Sequence, residues 1–372
     1  MGLDRYPNYL SRYDDSDITA IEHALEKTLN DVRQQRKKVL QRRNGIRELV
    51  KKYNSARPNP STIHDDRQTS SDSDDVLLIS TLLPPQSWSQ LKNVLSDEAF
   101  KVIYTSIISS SKSTNQKVPT LQDVICGKFT VQLDAALLED WMNQECFDVY
   151  SFQLLNKDFC TRLRRTITDL SKLGESSEFC SLLLGRRPID FDTVGLSWIS
   201  DMLLHCFIQP ISRHLYATTE KLLSDEDCSN GINNKTKKIL NWRQGYVAGY
   251  SASPQEGKAA TRHRLVPHSD DSEITLNCCL GEDDFEGGNV QFYGLRGTEE
   301  EGTLLGEVER PSVGRGIIHA GRHLHAVTDV TAGNRYALIV WTRSWGMRGL
   351  TCPCCYLNRR IDTRCVCDKR WN

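Results

Sequence analysis

LVPHSD (Leu265–Asp270) and LHAV (Leu324–Val327) are the two stretches that decide the fold of this chain. His268 and Asp270 lie two positions apart, so on a β-strand both side chains point to the same face. A second imidazole from a later strand, His325, completes a set of two histidines and one carboxylate. Such a set is typical of non-haem Fe(II) sites, in which the remaining coordination positions stay open.

An arginine follows this set on the next apolar run of the chain. Arg335 lies ten residues after His325. Its planar guanidinium can hold a carboxylate through two parallel hydrogen bonds, which suits it to a dicarboxylic acid. The sequence therefore predicts a metal site with an anion site beside it.

Short strand-like runs, separated by turn residues, surround these side chains. Their spacing is typical of a β-sandwich or a β-barrel. Amphipathic helical patterns precede the strands, and we expect these helices to buttress one sheet. The strand-like runs are 242–250, 273–280, 288–293, 316–319, 325–330 and 337–342. Together these patterns predict an α+β fold.

The chain divides into five predicted regions. Residues 1–53 contain a long helix with a basic face, and residues 54–75 form a flexible linker rich in Pro, Ser, Asp and Asn. A small accessory region follows at 76–143, then the strand-rich domain at 144–349 and a cysteine-rich tail at 350–372. The basic face has several interpretations, namely a protein partner, a nuclear-import signal, an RNA contact or a solvated helix surface.

Composition limits the class of protein. The chain has 372 residues and a formal net charge of −1, so no global charge attracts it to nucleic acid or to an anionic membrane. Its start lacks the apolar core of a signal peptide, and no apolar run approaches the roughly 18 residues that span a bilayer. Thirteen cysteines, an odd count, fit a reducing compartment. We therefore expect a cytoplasmic or nuclear protein without a membrane partner, and nucleic acid is not its expected substrate.

Three motifs resemble a known family when they are taken together. They are His268-Ser269-Asp270, Thr275-Leu276-Asn277 and Phe285-Glu286-Gly287-Gly288. As a set with His325 and Arg335, they resemble the prolyl and lysyl hydroxylase branch of the Fe(II)/2-oxoglutarate oxygenases. Within that family, Trp341-Thr342-Arg343 and the trailing cysteines are most similar to a group of proteins that contain an iron- and 2-oxoglutarate-dependent oxygenase domain.

The resemblance implies a double-stranded β-helix (jelly-roll) core, buttressed by helices and preceded by an N-terminal helical extension. It implies Fe(II), 2-oxoglutarate and O2 as cofactor and co-substrates, with L-ascorbate as reductant. The implied reaction hydroxylates a substrate C–H bond while 2-oxoglutarate and O2 become succinate and CO2. The first expectation for the substrate is a protein Pro or Lys side chain. A small-molecule substrate is the alternative that stays open.

Neighbouring residues compete for two of the predicted roles, namely the second histidine ligand and the tyrosine beside 2-oxoglutarate. His319 and His323 compete with His325, and strand alternation does not separate His323 from His325. The family pattern, a small residue and Val after the ligand and a basic residue on the next strand, selects His325. The resemblance places Tyr250 beside 2-oxoglutarate, with Tyr246 on the same strand face as its competitor.

Two further groups of residues have open interpretations. Thr275 and Asn277 share one strand face and are candidates to line the co-substrate pocket, although both positions also suit a core. A basic loop precedes the metal pair and is either a substrate contact or a solvated mobile loop; it comprises Lys258, Arg262, His263 and Arg264.

Four cysteines in the tail have the spacing of a possible zinc site. Cys352 and Cys355 form one pair, and Cys365 and Cys367 form another. Four thiolates can bind Zn(II) tetrahedrally, whereas reduced free thiols are the alternative.

One rival hypothesis belongs to a different class of protein. The chain would then be a binding or scaffold protein that keeps the oxygenase fold and acts on a protein partner through its N-terminal helix.

Overall fold

The computed structural model describes residues 82–114, 117–176, 188–216, 240–253, 262–281, 285–309 and 311–344, and scattered positions between 19 and 41. The chain divides into two compact units, Met1–Pro60 and Ser61–Asn372. In the first unit the described residues between 19 and 41 are helical. The finer region boundaries predicted from the sequence stay predictions.

Five helices of the second unit begin directly after a residue whose side chain caps them. Ser87, Ser96, Thr120, Asp134 and Asp190 each accept a hydrogen bond from a backbone N–H in the first turn. The helices are α1 (Trp88–Leu91), α2 (Asp97–Ser113), α3 (Leu121–Ile125), α4 (Ala135–Trp141), α5 (Lys157–Ser176), α6 (Phe191–Val194), α7 (Ser197–Leu203) and α8 (Gln209–Leu215), with a π-helical turn at Leu204–Ile208 before α8.

The strands form antiparallel sheets, which confirms the predicted α+β class. The strands are β1 (Asn143–Cys146), β2 (Val149–Gln153), β3 (Trp242–Ser251), β4 (Leu265–His268), β5 (Ile274–Cys279), β6 (Glu286–Gly287), β7 (Val290–Leu295), β8 (Gly306–Val308), β9 (Arg315–Ala320), β10 (His323–Val327), β11 (Val330–Ala332) and β12 (Asn334–Arg343). One sheet has six strands in the order β1-β2-β9-β5-β12-β3, and a second has four in the order β4-β10-β7-β8. The predicted strand at 325–330 is divided between β10 and β11.

The two larger sheets share one apolar core. Val149 and Ile317 from the six-stranded sheet pack against Val290, Phe292 and Val308 from the four-stranded sheet. Strand alternation directs these side chains to the inner face of each sheet. Phe292 of this cluster also stacks against His325 of the predicted metal set, with the ring centroids 6.1 Å apart.

Helices cover the outer face of the six-stranded sheet. Arg243 on β3 donates to Asp192 at 2.7 Å and to Asp201 at 2.8 Å, which ties α6 and α7 to the sheet edge. A β-carbon at Gly245 would lie 2.1 Å from the Ser200 hydroxyl oxygen, so this close approach of helix and strand requires glycine. These helices thus cover the outer face of the sheet at β3, while its inner face packs against the four-stranded sheet.

None of the described helices is long and apolar enough to cross a membrane.

Candidate metal centre

Two strands of the four-stranded sheet bring the metal set together. His268, the last residue of β4, is paired directly with His325 on β10. Asp270 lies just past the end of β4, and its backbone N–H donates to the Gly321 carbonyl at 2.8 Å. One ligand atom from each of these three side chains lies within 4.8 Å of the others, and no second such group occurs within the described ranges.

The hydrogen bonds of the two imidazoles direct one nitrogen of each into this cluster. His268 Nδ1 lies 3.0 Å from the Val266 carbonyl oxygen, and His325 Nδ1 lies 2.9 Å from the His323 carbonyl oxygen. A carbonyl only accepts, so both N–H groups are assigned to Nδ1. Each Nε2 then offers a lone pair toward Asp270, at 3.5 Å from His268 and 3.7 Å from His325. This is the tautomer that a metal ligand needs.

The charges of the three groups also suit a divalent cation. Burial tends to raise the pKa of Asp270, but His325, His268 and the Thr275 hydroxyl lower it well below its ordinary value. Burial lowers the pKa of His325. Burial also opposes protonation of His268, but the hydrogen bond and charge of Asp270 raise its pKa above the ordinary value. A metal ion must therefore compete with a proton at His268, and acid weakens binding.

The two competing histidines form hydrogen bonds with backbone carbonyls. His319 is buried, its Nδ1 lies 2.9 Å from the Ala320 carbonyl oxygen, and burial together with the charge of His325 lowers its pKa to about 3. His323 Nε2 lies 3.1 Å from the Phe147 carbonyl oxygen. A register shift separates His323 from His325 along β7, which simple strand alternation does not foresee.

A hydroxyl pair supports the carboxylate of the metal set. Thr275 donates to Asp270 Oδ2 at 2.7 Å, and Ser272 Oγ lies 2.7 Å from Thr275 Oγ1. All three side chains are buried. The sequence prediction placed Thr275 in the co-substrate pocket, but in the structure its hydroxyl orients Asp270.

We expect Thr275→Val to weaken Co(II) affinity about tenfold, because Asp270 loses a hydrogen bond that orients it. The substitution keeps the side-chain shape. Thr342→Val is the matched control, because Thr342 is also buried but donates to the Ile274 carbonyl at 2.7 Å. Titration with Co(II), followed by its visible absorption, measures both variants. Equal losses of affinity in the two would contradict the role of Thr275.

The predicted anion site lies at the beginning of β12. Arg335 is fully buried, and none of its three guanidinium nitrogens has a hydrogen-bond partner among the residues that the structure describes. Tyr250 is its direct neighbour on β3, with the ring centroid 5.2 Å from Arg335 Cζ. A buried guanidinium without a partner is costly. This position therefore calls for an anion.

A pair of glycines makes room for this arginine. Gly287 and Gly288 both have positive φ, +72° and +67°, which glycine adopts without strain. A β-carbon at Gly288 would lie 2.8 Å from Arg335 Cδ. Gly288 therefore also shapes the anion site, a role that sequence reasoning missed although the doubled glycine marked the position.

Further unpartnered polar atoms lie on the same inner face of the six-stranded sheet. Asn277 Oδ1 and Trp341 Nε1 are buried without hydrogen-bond partners in the described part of the chain. Asn277 is paired with Ile339, and Trp341 is paired with Thr275. Tyr246 packs edge-on against Trp341 at 5.7 Å, farther along β3 from Arg335 than Tyr250. The pocket thus offers polar groups between the arginine and the metal set, and Trp341 was not among the predicted site residues.

The predicted zinc ligands, Cys352, Cys355, Cys365 and Cys367, lie outside the described residues. So do Lys258 of the basic loop and the linker at 54–75.

Comparisons with known proteins find relatives by sequence. No protein-family model matches the chain. A Danio rerio protein named "2-oxoglutarate and iron-dependent oxygenase domain-containing protein 2" is 30% identical over 207 residues, which cover 56% of this chain and 53% of that protein. The Homo sapiens protein of the same name is 40% identical over 149 residues, 40% of this chain and 35% of that protein.

The chain is also similar, at lower sequence identity, to proteins that are named as hydroxylases. A Rattus norvegicus protein named "Multifunctional procollagen lysine hydroxylase and glycosyltransferase LH3" is 27% identical over 215 residues, 54% of this chain and 24% of that protein. A crystal structure of a Pseudomonas putida prolyl-4-hydroxylase matches 60% of this chain and 95% of its own at 15% identity, with a TM-score of 0.32. The chain spans about half the length of the zebrafish relative and less of the other two curated proteins.

Proposed function

We propose that this chain, which is related to the 2-oxoglutarate and iron-dependent oxygenase domain-containing protein 2 group, is itself an Fe(II)- and 2-oxoglutarate-dependent dioxygenase. The observation that carries the proposal is that a candidate metal site and a candidate anion site lie between the same two sheets. Three metal-ligand atoms lie together at His268, Asp270 and His325, and the buried guanidinium of Arg335 has no hydrogen-bond partner among the described residues.

The residues fit both groups chemically. Two neutral imidazoles and one carboxylate form the set that non-haem Fe(II) takes, and the guanidinium matches the distal carboxylate of 2-oxoglutarate. When bound, Fe(II) supplies oxidative chemistry in which O2 and 2-oxoglutarate yield succinate and CO2 and a substrate C–H becomes C–OH. Asp270, oriented by Thr275, supplies a negative ligand, while Tyr250 and Asn277 offer polar atoms along the co-substrate.

The strand order supports the proposed double-stranded β-helix. Strands β3, β12, β5 and β9 are neighbours in one sheet, and β4, β10, β7 and β8 are neighbours in the other. Successive core strands thus alternate largely between the two sheets, which is the arrangement of a jelly roll. The metal set lies on β4 and β10 and the arginine on β12, so both face the space between the sheets.

The proposed substrate is a protein Pro or Lys side chain. The named rat relative is a procollagen lysine hydroxylase, and this similarity supports a peptide substrate. L-ascorbate is the proposed reductant. A protein partner for the basic N-terminal helix and a cytoplasmic or nuclear location also stay proposals.

The test is iron-dependent formation of succinate from 2-oxoglutarate by the purified protein. We expect succinate above the no-enzyme background with Fe(II) and ascorbate, and a further increase with a Pro- or Lys-containing peptide library. Replacement of Fe(II) by Zn(II) is expected to remove the signal. A protein that binds Fe(II) but forms no succinate under any of these conditions would support the rival, a binding protein that retains the fold.

A further inference from the structure

Arg262 of the basic loop has an exposed side chain, but its backbone is hydrogen-bonded next to the candidate site. The Arg262 carbonyl accepts from the Ser251 N–H at 3.0 Å, and the carbonyl of the next residue, His263, accepts from the Val330 N–H at 2.9 Å. Arg262 also forms a bridge with Tyr250. Its backbone is therefore hydrogen-bonded to β3, and the next residue to β11, immediately before the chain enters β4.

The guanidinium of Arg262 shares an aromatic ring with the buried arginine. Its Cζ lies 5.8 Å from the centroid of Tyr250, and Arg335 Cζ lies 5.2 Å from the same centroid. Burial raises the pKa of Tyr250, and the charges of Arg335 and then Arg262 oppose that rise. One cation thus lies inside the pocket and the other at its solvent side.

Three arginines of this domain are already paired with a carboxylate, whereas Arg262 is not among them. Arg243, Arg315 and Arg343 each form an ion pair with a carboxylate at 2.6–2.9 Å. Arg262 has no such carboxylate among the described residues. An exposed cation held next to a catalytic pocket, without an acid of its own, is available to a ligand.

We propose that Arg262 selects a peptide substrate that carries an Asp or Glu close to the residue that is hydroxylated. The proposal rests on the proposed function and deepens it by naming the substrate class. Arg335 is buried and committed to the co-substrate, so the acid of the peptide binds at the exposed guanidinium. The net charge of −1 argues against nucleic acid, which requires several phosphate contacts.

Binding of matched peptide pools tests the proposal. The pools are acetylated peptides with a central Pro or Lys, and one flanking position is fixed as Glu, Gln or Lys. Fluorescence anisotropy with Mn(II) and 2-oxoglutarate present measures binding without turnover. We expect Glu pools to bind wild type about three- to tenfold more tightly than Gln pools, since an exposed pair is screened by solvent.

Three variants separate a specific contact from general charge. Arg262→Ala is expected to remove the preference for Glu, and Arg262→Glu to shift it toward Lys pools. Arg264→Ala, the matched control two residues later, is expected to retain it, because Arg264 is exposed and has no ring contact among the described residues.

Several results would overturn the proposal. They are Glu pools that bind wild type no better than Gln pools, equal loss in the Arg262→Ala and Arg264→Ala variants, and an oligodeoxythymidylate that binds more tightly than the Glu pools. Succinate formation by the wild type, with and without the Pro- or Lys-containing peptide library, is measured separately. If succinate forms and the Glu preference is absent, only the role of Arg262 fails; if no succinate forms, the proposed function fails.

Discussion

His325→Ala is expected to weaken Fe(II) or Co(II) binding at least about 100-fold and to remove iron-dependent succinate formation. Only three protein ligands are available in the described site, so the loss of one leaves a two-ligand set. His325 is also the best-placed ligand for this test. Its Nδ1 is bound to the His323 carbonyl, and its Nε2 is directed to the cluster.

Loss of a buried ring also affects packing, so the experiment needs a folding control. His325→Gln keeps more of the side-chain volume, and circular dichroism with thermal unfolding reports whether either variant remains folded. His214→Ala removes an exposed imidazole in the last turn of α8 and is expected to leave metal binding unchanged. Folded His325 variants that bind Co(II) as tightly as the wild type would contradict the assignment of this histidine.

Arg335→Met is expected to have opposite effects on stability and on co-substrate binding. Without 2-oxoglutarate, methionine fills similar space and removes a buried charge that has no partner in the described part of the chain, so the free energy of unfolding rises by about 1–3 kcal/mol. A charge-assisted hydrogen bond contributes about 1.5–3 kcal/mol, so affinity for 2-oxoglutarate falls at least about tenfold. Urea unfolding with and without 2-oxoglutarate measures both effects.

A second internal arginine provides the contrast. Arg243→Met is expected to lower the free energy of unfolding by about 1–3 kcal/mol, because it leaves Asp192 and Asp201 without their cation. The same substitution therefore changes stability in opposite directions at the two positions. A destabilised Arg335→Met variant that 2-oxoglutarate still stabilises as strongly as the wild type would contradict the anion site.

The metal set could be predicted because its chemistry resides in residue types and short spacing. His268 and Asp270 are close in the sequence, and few other arrangements explain such a pair before a β-rich run. Strand alternation alone could not choose between His323 and His325. The structure separates them through a register shift against β7, and this depends on pairing between distant segments.

The supporting residues were harder to predict for the same reason. The contact from Thr275 to Asp270 depends on how β5 lies against the end of β4. The absence of a hydrogen-bond partner for Arg335 among the described residues depends on the positions of all its neighbours. Neither property is encoded in local periodicity. The fixed position of Arg262 likewise results from hydrogen bonds to Ser251 and, through the next residue, to Val330.

The central claim is that the metal set and Arg335 form a single site for one co-substrate. Titration of 2-oxoglutarate into the wild-type protein, with and without Mn(II), tests this most directly. We expect Mn(II) to tighten 2-oxoglutarate binding at least about tenfold, and 2-oxoglutarate to tighten Mn(II) binding by the same factor, because coupling between ligands is reciprocal. Equal affinity for 2-oxoglutarate with and without Mn(II) would contradict the claim.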